Sequence, residues 1–153
     1  MIRRAEIKDL DKIIDLLFEV ALVHHEGRPD IFKKARKYTD DEIISIINDD
    51  KTPLLVCVDE FDEVLGYAFC VIEEKGSLLL QKFKTLYIDD LCVFKNLRGK
   101  GFGKELIEGV KSLAKEEKCY NITLNVWALN ENAKKFYEKL GFSVQKIGME
   151  VIL

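Results

Sequence analysis

Apolar residues along the chain recur in two different spacings, and each spacing predicts a different element. Where they return every three to four positions the pattern is typical of amphipathic helices. The second such segment opens with Thr39 followed by Glu42, a capping box in which hydroxyl and carboxylate satisfy each other's end amides. The predicted helices run from about Asp9 to His24, from Thr39 to Asn48, and over Phe102–Lys118 and Glu131–Lys139.

Continuous apolar runs bounded by turn residues predict strands. Two of them flank the short acidic segment Glu60–Glu63, which is typical of an antiparallel hairpin. Hairpin strands followed by strands that alternate with helices predict an α/β or α+β fold, with a mixed sheet and helices on both faces. The predicted strands are Ile2–Ala5, Pro53–Asp59, Val64–Glu73, Lys82–Phe94, Tyr120–Trp127, Phe142–Ile147 and Met149–Leu153.

Length and composition indicate one globular domain over residues 1–153. The chain is 48% hydrophobic and 33% charged, and no stretch has the composition of a linker. No apolar run approaches the length of a membrane span, and the N-terminus lacks the pattern of a signal peptide. A formal net charge of −3 argues against a nucleic-acid partner, which usually requires a basic excess.

The four cysteines indicate buried, reduced thiols and a cytoplasmic protein. Cys57, Cys70, Cys92 and Cys119 stand singly inside apolar segments. Free cysteine is among the most buried residue types. With no Cys-x-x-Cys pair and only two histidines, the sequence predicts no metal site.

A glycine-rich loop, Arg98-Gly99-Lys100-Gly101-Phe102-Gly103, stands between a predicted strand and a predicted helix. Amides at a helix start lack intrahelical acceptors and face the positive end of the dipole, which suits a pyrophosphate. Gly101 and Gly103 would let a ligand contact the backbone, and Arg98 and Lys100 add positive charge. The alternative is a turn without a ligand.

Neither common nucleotide motif fits this loop. The dinucleotide fingerprint requires an acidic residue at the end of the next strand, and Tyr120–Trp127 has none. A Walker loop requires Ser or Thr after the Gly-Lys pair, and Glu105 follows Lys104 instead. If the loop holds a ligand, it therefore belongs to another class of site.

A second motif, Asn130-x-x-Ala133-x-x-x-Tyr137-Glu138-Lys139-x-Gly141-Phe142, follows the loop after a helix and a strand. Together the two motifs resemble the GNAT superfamily of acetyl-CoA-dependent N-acetyltransferases. The resemblance covers essentially the whole chain, with its diagnostic part in Tyr87–Phe142. It implies a GNAT-like single domain with a mixed, mostly antiparallel twisted sheet of six to seven strands flanked by about four helices. Members often dimerise through late strands or helices, which makes Phe142–Leu153 a candidate homodimer edge.

The resemblance also implies how acetyl-CoA is held. Amides of the glycine loop would bind its pyrophosphate, and the pantetheine arm would pair with a strand in the wedge between Lys82–Phe94 and Tyr120–Trp127. The implied cofactor-binding residues are Leu91, Cys92, Val93, Arg98, Gly99, Lys100, Gly101, Phe102, Gly103, Lys104 and Asn130.

Acetyl transfer to an amine also requires a proton acceptor. An amine whose pKa is about 10.4 is protonated at neutral pH and cannot attack a thioester. Since side chains alternate along a strand, only one of Asp89 and Asp90 is expected to face the cleft. The resemblance favours Asp89 as a water-mediated relay. The alternative is that Asp89 only attracts the cationic substrate, and Asp90 is expected to serve the backbone or the other face.

The resemblance assigns Tyr137 as the general acid for the departing CoA thiolate, and its phenol is protonated at pH 7. The alternative is a packing tyrosine. An acyl-Cys92 route is disfavoured because no histidine stands near it in sequence. His24 and His25 either cap the first long helix or help to shape the acceptor pocket.

The predicted function is direct acetyl transfer from acetyl-CoA to a primary amine of a polyamine-like small molecule or of a protein or peptide. A catalytically weak acetyl-CoA-binding sensor or structural module is the alternative. The presence of both Asp89 and Tyr137 favours the enzyme.

Overall fold

The structure is a computed structural model that describes residues 1–153. Four α-helices are present, as predicted, with ends that differ by a few residues from the sequence pattern. In chain order the elements are β1 (Ile2–Arg4), a 3-10 turn (Ile7–Asp9), α1 (Leu10–Gly27), α2 (Asp40–Ile47), β2 (Leu54–Val58), β3 (Val64–Lys75), β4 (Phe83–Val93), a 3-10 turn (Lys95–Leu97), α3 (Phe102–Glu116), β5 (Asn121–Leu124) and α4 (Glu131–Lys139).

The strands form one sheet in the order β1-β2-β3-β4-β5. The first three pairings are antiparallel and the β4–β5 pairing is parallel, so the predicted mixed, mostly antiparallel sheet is confirmed. The predicted number of six to seven strands is wrong, because the sheet has five. The predicted closing strands, Phe142–Ile147 and Met149–Leu153, have no neighbouring strand, and residues 143–153 make no backbone hydrogen bonds.

Two apolar clusters cover the two faces of the sheet. Helices α1 and α2 pack on one face, here called the α1 face, and α3 and α4 pack on the other, the α3 face. Successive residues of β2 alternate between them: Leu54 and Val56 join the α1 face, whereas Leu55 and Cys57 join the α3 face. Two-sided burial explains why β2 is an unbroken apolar run.

A buried ion pair joins β1 to the start of α1. The carboxylate of Asp9, only 3% exposed, accepts hydrogen bonds from Arg3 Nη1 at 2.7 Å and Nη2 at 3.0 Å and from the Glu6 amide at 2.8 Å. Burial alone raises the pKa of Asp9, but the hydrogen bonds from Arg3 and the Glu6 amide outweigh it and lower that pKa. The pair therefore stabilises the fold as long as Asp9 stays ionised.

The predicted capping box of α2 is confirmed. The Thr39 hydroxyl accepts from the Glu42 amide at 3.3 Å, and the Glu42 carboxylate accepts from the Thr39 amide at 2.8 Å. The cap fixes the end of the loop between α1 and α2, residues 28–39, which lies next to the site described below. No helix of the protein combines the length and apolarity needed to cross a membrane.

Candidate active site

Strands β4 and β5 form a wedge. Their parallel pairing joins Thr85–Ile88 to Asn121–Leu124, and there β5 ends. Strand β4 continues to Val93 with only β3 beside it. No strand lies on the β5 side of Asp89–Val93, so an extended ligand can pair there as an additional strand would.

A β-bulge places two carboxylates on one face. The register passes from Phe69↔Asp90 to Cys70↔Ile88, which leaves Asp89 as the extra residue of β4. A bulge interrupts the strict alternation of side chains. The expectation that only one of Asp89 and Asp90 faces the cleft is wrong for this reason: both carboxylates contact tyrosines that pack against Phe69 of the α1 face.

The carboxylate of Asp89 is engaged by the loop between α1 and α2. Lys37 Nζ lies 2.8 Å from it, and the Tyr38 hydroxyl donates a hydrogen bond to it. Its side chain keeps 18% exposure, so the group stays in contact with solvent. Burial first, and Asp89 second, raise the pKa of Tyr38, which keeps that phenol a donor. Asp89 thus anchors the loop above the wedge.

Asp90 lies deeper and has one side-chain partner. The hydroxyl of Tyr67, which is fully buried, donates to its carboxylate at 2.8 Å. Burial raises the pKa of Asp90, and it exceeds the opposing effects of the Tyr67 hydrogen bond and of the charges on Lys37 and His24. A carboxyl group with a raised pKa is a better proton acceptor than an ordinary aspartate.

The phenol of Tyr137 approaches from the α3 face. Its ring packs edge-on against Phe136 at 5.0 Å and Phe142 at 5.5 Å between ring centroids. Its hydroxyl has no hydrogen-bond partner in the protein, and because no buried side-chain oxygen lacks a partner, that hydroxyl is in contact with solvent. Burial, reinforced by the negative charge of Asp90, raises the pKa of Tyr137. The phenol therefore remains protonated at neutral pH.

The glycine loop has a left-handed backbone at Gly99 (φ +78°) and Gly101 (φ +93°), and a Cβ at either position would meet nothing within 4 Å. A free concave backbone of this kind is suited to an anion. Lys100 and Lys104 have no carboxylate within 4.0 Å, so their charge is available. Gly103 differs, because a Cβ there would lie 3.1 Å from Phe136 Cζ; it permits close packing of α3 and α4.

Two further predicted ligand residues already have partners. Arg98 Nε donates to the Val93 carbonyl at 3.1 Å, which joins the loop to the end of β4. Asn130 is the N-cap of α4, and its side-chain oxygen accepts from the Ala133 amide at 3.1 Å. The side-chain amide nitrogen of Asn130 remains as the group that can reach a ligand. Leu91, Cys92 and Val93 lie on the open side of the wedge, with Phe102 beginning α3.

An aromatic wall lies beside the loop between α1 and α2. His24 stacks on Phe32 at 5.0 Å, Phe32 meets Trp127 edge-on at 5.3 Å, and His25 Nδ1 lies 2.7 Å from the Phe32 carbonyl. The histidines thus position the loop, and the Arg28 amide closes the helix end by donating to the His24 carbonyl. Sequence reasoning missed Phe32, Tyr38 and Tyr67, because no local signal distinguishes the first two from ordinary loop residues or Tyr67 from the apolar residues of its strand.

All four cysteines are unpaired thiols. Burial raises the pKa of Cys92 to about 12, so its sulfur stays protonated near neutral pH. A protonated thiol is a poor nucleophile, and this leaves Cys92 as a packing residue beside the wedge.

Comparison with known proteins identifies the family. The family model described as the acetyltransferase (GNAT) family matches residues 14–142. Glucosamine 6-phosphate N-acetyltransferase of Arabidopsis thaliana is 30% identical to this chain, and the match covers 97% of this chain and 93% of that protein. Peptidyl-lysine N-acetyltransferase YjaB of Escherichia coli is 35% identical over 61% of this chain and 52% of its own.

Solved structures share the fold. A crystal structure of a mutant of the BH1408 protein from Bacillus halodurans superposes with a TM-score of 0.95 at 32% identity, covering 100% of this chain and 99% of that one. The structure of glucosamine-6-phosphate N-acetyltransferase from Arabidopsis thaliana superposes with a TM-score of 0.73 at 27% identity. The match covers 99% of this chain and 97% of that one. The chain therefore belongs to the acetyltransferase (GNAT) family and is an acetyl-CoA-dependent N-acetyltransferase.

Proposed function

We propose that residues 1–153 act as one domain that transfers acetyl from acetyl-CoA directly to a primary amine, held beside Asp89 and Asp90. The observation that carries the proposal is the pair of carboxylates on one face of β4, at the point where β5 diverges. A cationic amine is attracted to such a pair, and the open strand backbone accommodates the donor alongside it.

The donor occupies the wedge and the loop. Backbone groups of Leu91, Cys92 and Val93 pair with the pantetheine arm, and the Asn130 side-chain amide contacts it. The amides of Arg98 to Lys104 take the pyrophosphate, assisted by the unpaired charges of Lys100 and Lys104. The left-handed glycines support this arrangement because they leave the concave side of the loop free of side chains.

Asp89 and Asp90 have different roles toward the amine. The Lys37 ion pair offsets much of the charge of Asp89, so the main part of Asp89 is to hold the loop in place, and only its remaining charge attracts the ammonium. Asp90, whose pKa is raised, takes the proton directly or through one water molecule. The freed nitrogen lone pair then forms a bond to the thioester carbonyl carbon.

Collapse of the tetrahedral intermediate restores the carbonyl and breaks the carbon–sulfur bond. The electron pair leaves on sulfur, and the Tyr137 hydroxyl supplies the proton that converts the thiolate to free CoA. The second proton of the attacking nitrogen leaves through solvent and restores the Tyr137 phenol. An amide of β4 near Leu91 or Cys92 stabilises the intermediate oxyanion. The hydroxyl of Tyr137 is protonated at neutral pH and has no partner in the protein, and both properties support its role as the donor.

The acceptor is a primary amine of a polyamine-like small molecule or of a protein or peptide. The aromatic wall of His24, Phe32 and Trp127 suits a flexible alkyl ammonium, which packs its methylene groups against rings. Asp30 is held by Arg28 at 2.9 Å, so it does not provide a second cation site. The four unpaired thiols support a cytoplasmic setting, and the exposed apolar residues of the C-terminal segment support a homodimer edge there.

The test is release of CoA thiol from acetyl-CoA in the presence of spermidine, a lysine-containing peptide or glucosamine 6-phosphate. We expect turnover with at least one amine, a large loss in Asp90→Asn, and wild-type rates in Asp15→Asn, an exposed carboxylate on α1. Thermal unfolding with acetyl-CoA runs in parallel, because a ligand of the folded state raises the midpoint. A midpoint shift without turnover on any amine would instead identify a binding module.

A further inference from the structure

The ammonium group of Lys37 lies where the proposed function places the acceptor amine. Its Nζ is 2.8 Å from the Asp89 carboxylate and donates to the Asp89 carbonyl oxygen at 3.4 Å. Burial raises the pKa of Asp90, and the positive charge of Lys37 is one of the effects that oppose this rise. Both carboxylates of the candidate site therefore interact with a primary ammonium that the chain itself supplies.

The residues that follow Lys37 fix its backbone beside β4. The Tyr38 ring stacks on Phe69 at 5.1 Å between ring centroids, and its hydroxyl donates to Asp89. Thr39 then caps α2. The side chain of Lys37 keeps 47% exposure, so its flexible stem can move the ammonium without disturbing those contacts. Lys37 is thus tethered at the site but free to change its rotamer.

No other cationic side chain takes this position. Lys33 and Lys34 belong to the same loop and are exposed, but neither has a carboxylate within 4.0 Å. Apart from Lys37, no lysine, arginine or histidine nitrogen lies within 4.0 Å of the carboxylate of Asp89 or Asp90. Position therefore distinguishes Lys37 from its neighbours, which have the same chemistry.

We propose that Lys37 is a self-acetylation site, whose side chain accepts the acetyl group within its own chain when no external amine is bound. Self-acetylation rests on the proposed function, because it uses the same donor and the same carboxylates. A tethered group has an effective concentration on the order of millimolar, far above that of a second protein molecule at micromolar concentration. The transfer therefore takes place within one chain and not between two.

The bonds and protons balance as they do for an external amine. The Lys37 ammonium gives one proton to Asp90, directly or through one water molecule, and its nitrogen lone pair forms a bond to the thioester carbonyl carbon. The carbon–sulfur bond then breaks, the electron pair leaves on sulfur, and Tyr137 supplies the proton that forms free CoA. The second proton of the nitrogen leaves through solvent and restores the Tyr137 phenol.

Acetylation changes the charge of the site. It removes the positive charge of Lys37 and with it the ion pair to Asp89. The Tyr38 hydroxyl still donates to Asp89, so one of the two side-chain contacts that hold the loop remains. Asp89 then keeps its full charge, which is available to an external ammonium.

The experiment is incubation of the protein with acetyl-CoA alone, followed by mass spectrometry of its peptides over time. We expect one acetyl group per chain at Lys37, added at a first-order rate that does not change with protein concentration. Lys33 and Lys34 are the controls within the same loop. Lys37 is expected to react at least about tenfold faster than either, because only Lys37 is positioned at the site.

Two variants test whether the candidate site performs the reaction. Asp90→Asn and Tyr137→Phe are each expected to slow the labelling of Lys37 by about 10²-fold or more, the usual contribution of an acid or base. The slow labelling of Lys33 and Lys34 stays unchanged. Circular dichroism checks the fold of both variants, and Tyr137→Phe, which keeps the packed ring, carries the test if Asp90→Asn does not fold.

Three results would overturn the self-acetylation site: equal labelling of Lys33, Lys34 and Lys37, undiminished labelling of Lys37 in both variants, or a rate that rises in proportion to protein concentration. Thiol release with spermidine or a lysine-containing peptide separates it from the proposed function. Turnover of either amine with Lys37 unlabelled would overturn self-acetylation alone, and absence of both reactions would overturn both. Labelled Lys37 without turnover of any amine would support self-acetylation and overturn transfer to an external acceptor.

Discussion

The buried hydroxyl of Tyr67 donates a 2.8 Å hydrogen bond to Asp90, the carboxylate that follows the bulge in β4. Tyr67 and Tyr38 both pack against Phe69, with ring centroids 4.9 Å and 5.1 Å from it. One aromatic frame therefore positions the donors of both Asp90 and Asp89. This frame makes the hydrogen-bonded environment of each carboxylate a property of the fold.

The pH dependence of turnover is expected to report Asp90. Because burial raises its pKa, activity falls on the acidic side at a pH above the ordinary aspartate pKa of about 3.9. Asp90→Asn lowers kcat by about 10²- to 10⁴-fold, the usual contribution of a general base. The measurement is kcat/KM against pH, with Asp15→Asn as the control.

Tyr67→Phe tests the direction in which the Tyr67 hydrogen bond shifts the pKa of Asp90. The Tyr67 hydrogen bond favours the charged carboxylate, so its removal raises the pKa of Asp90 further and shifts the acidic limb to higher pH. An acidic limb at the same pH in Tyr67→Phe and wild type would assign that limb to another group.

Replacement of Tyr137 is expected to slow acetyl transfer without weakening the binding of acetyl-CoA. Tyr137→Phe removes the proton donor but keeps the ring that packs on Phe136 and Phe142, so kcat falls while the dissociation constant for acetyl-CoA is nearly unchanged. Tyr120→Phe is the matched control, because Tyr120 is 80% exposed. Wild-type kcat in Tyr137→Phe would leave Tyr137 as a packing residue.

The ion pair between Arg3 and Asp9 is expected to contribute to stability in a pH-dependent way. Asp9→Asn destabilises by about 3–5 kcal/mol, the usual cost of breaking a buried pair. Since the pKa of Asp9 is lowered in the folded state, the stabilisation is complete above the unfolded pKa of about 3.9 and is lost as pH falls through the folded value.

Urea unfolding at pH 7 and at pH 3 measures this effect. Asp62→Asn, which removes the exposed partner of Arg3, is the control and has a small effect. Equal unfolding free energies for wild type and Asp9→Asn at pH 7 would contradict the assignment.

The thiols are expected to react slowly in the folded protein. Burial raises the pKa of Cys70 and Cys92 to about 12 and raises that of Cys57, so each is a protonated, inaccessible thiol. Cys119 is the least buried and reacts first with a disulfide reagent at pH 8. Mass spectrometry of the labelled protein locates the sites. Fast labelling of Cys92 that acetyl-CoA prevents would reopen the acyl-cysteine route.

The helices and central strands could be predicted from sequence because their apolar patterns are long and unambiguous. Strand β2 is buried on both faces, and α3 presents one apolar face, so local pattern and final packing agree. The glycine loop was predictable because a strand, two glycines and a helix define its backbone without reference to distant residues.

The bulge and the unpaired C-terminal residues 143–153 could not be predicted in the same way. Asp89 and Asp90 share a face because of how β4 registers against β3, which no local pattern in β4 reveals. Residues 143–153 carry a strand pattern, but a strand needs a neighbour, and none of the five strands pairs with them. Tyr67 becomes a site residue only through contact with a residue 23 positions away.

The most direct test of the donor site is calorimetric titration of acetyl-CoA into wild type, Gly101→Ala and Gly141→Ala. Both glycines have a left-handed backbone, with φ of +93° and +94°, and both leave room for a methyl group, but only Gly101 lies in the loop. We predict binding to wild type and to Gly141→Ala, and a loss of at least about tenfold, or 1.4 kcal/mol, in Gly101→Ala. Absence of binding to wild type, or equal losses in the two variants, would contradict the assignment of the loop to the donor.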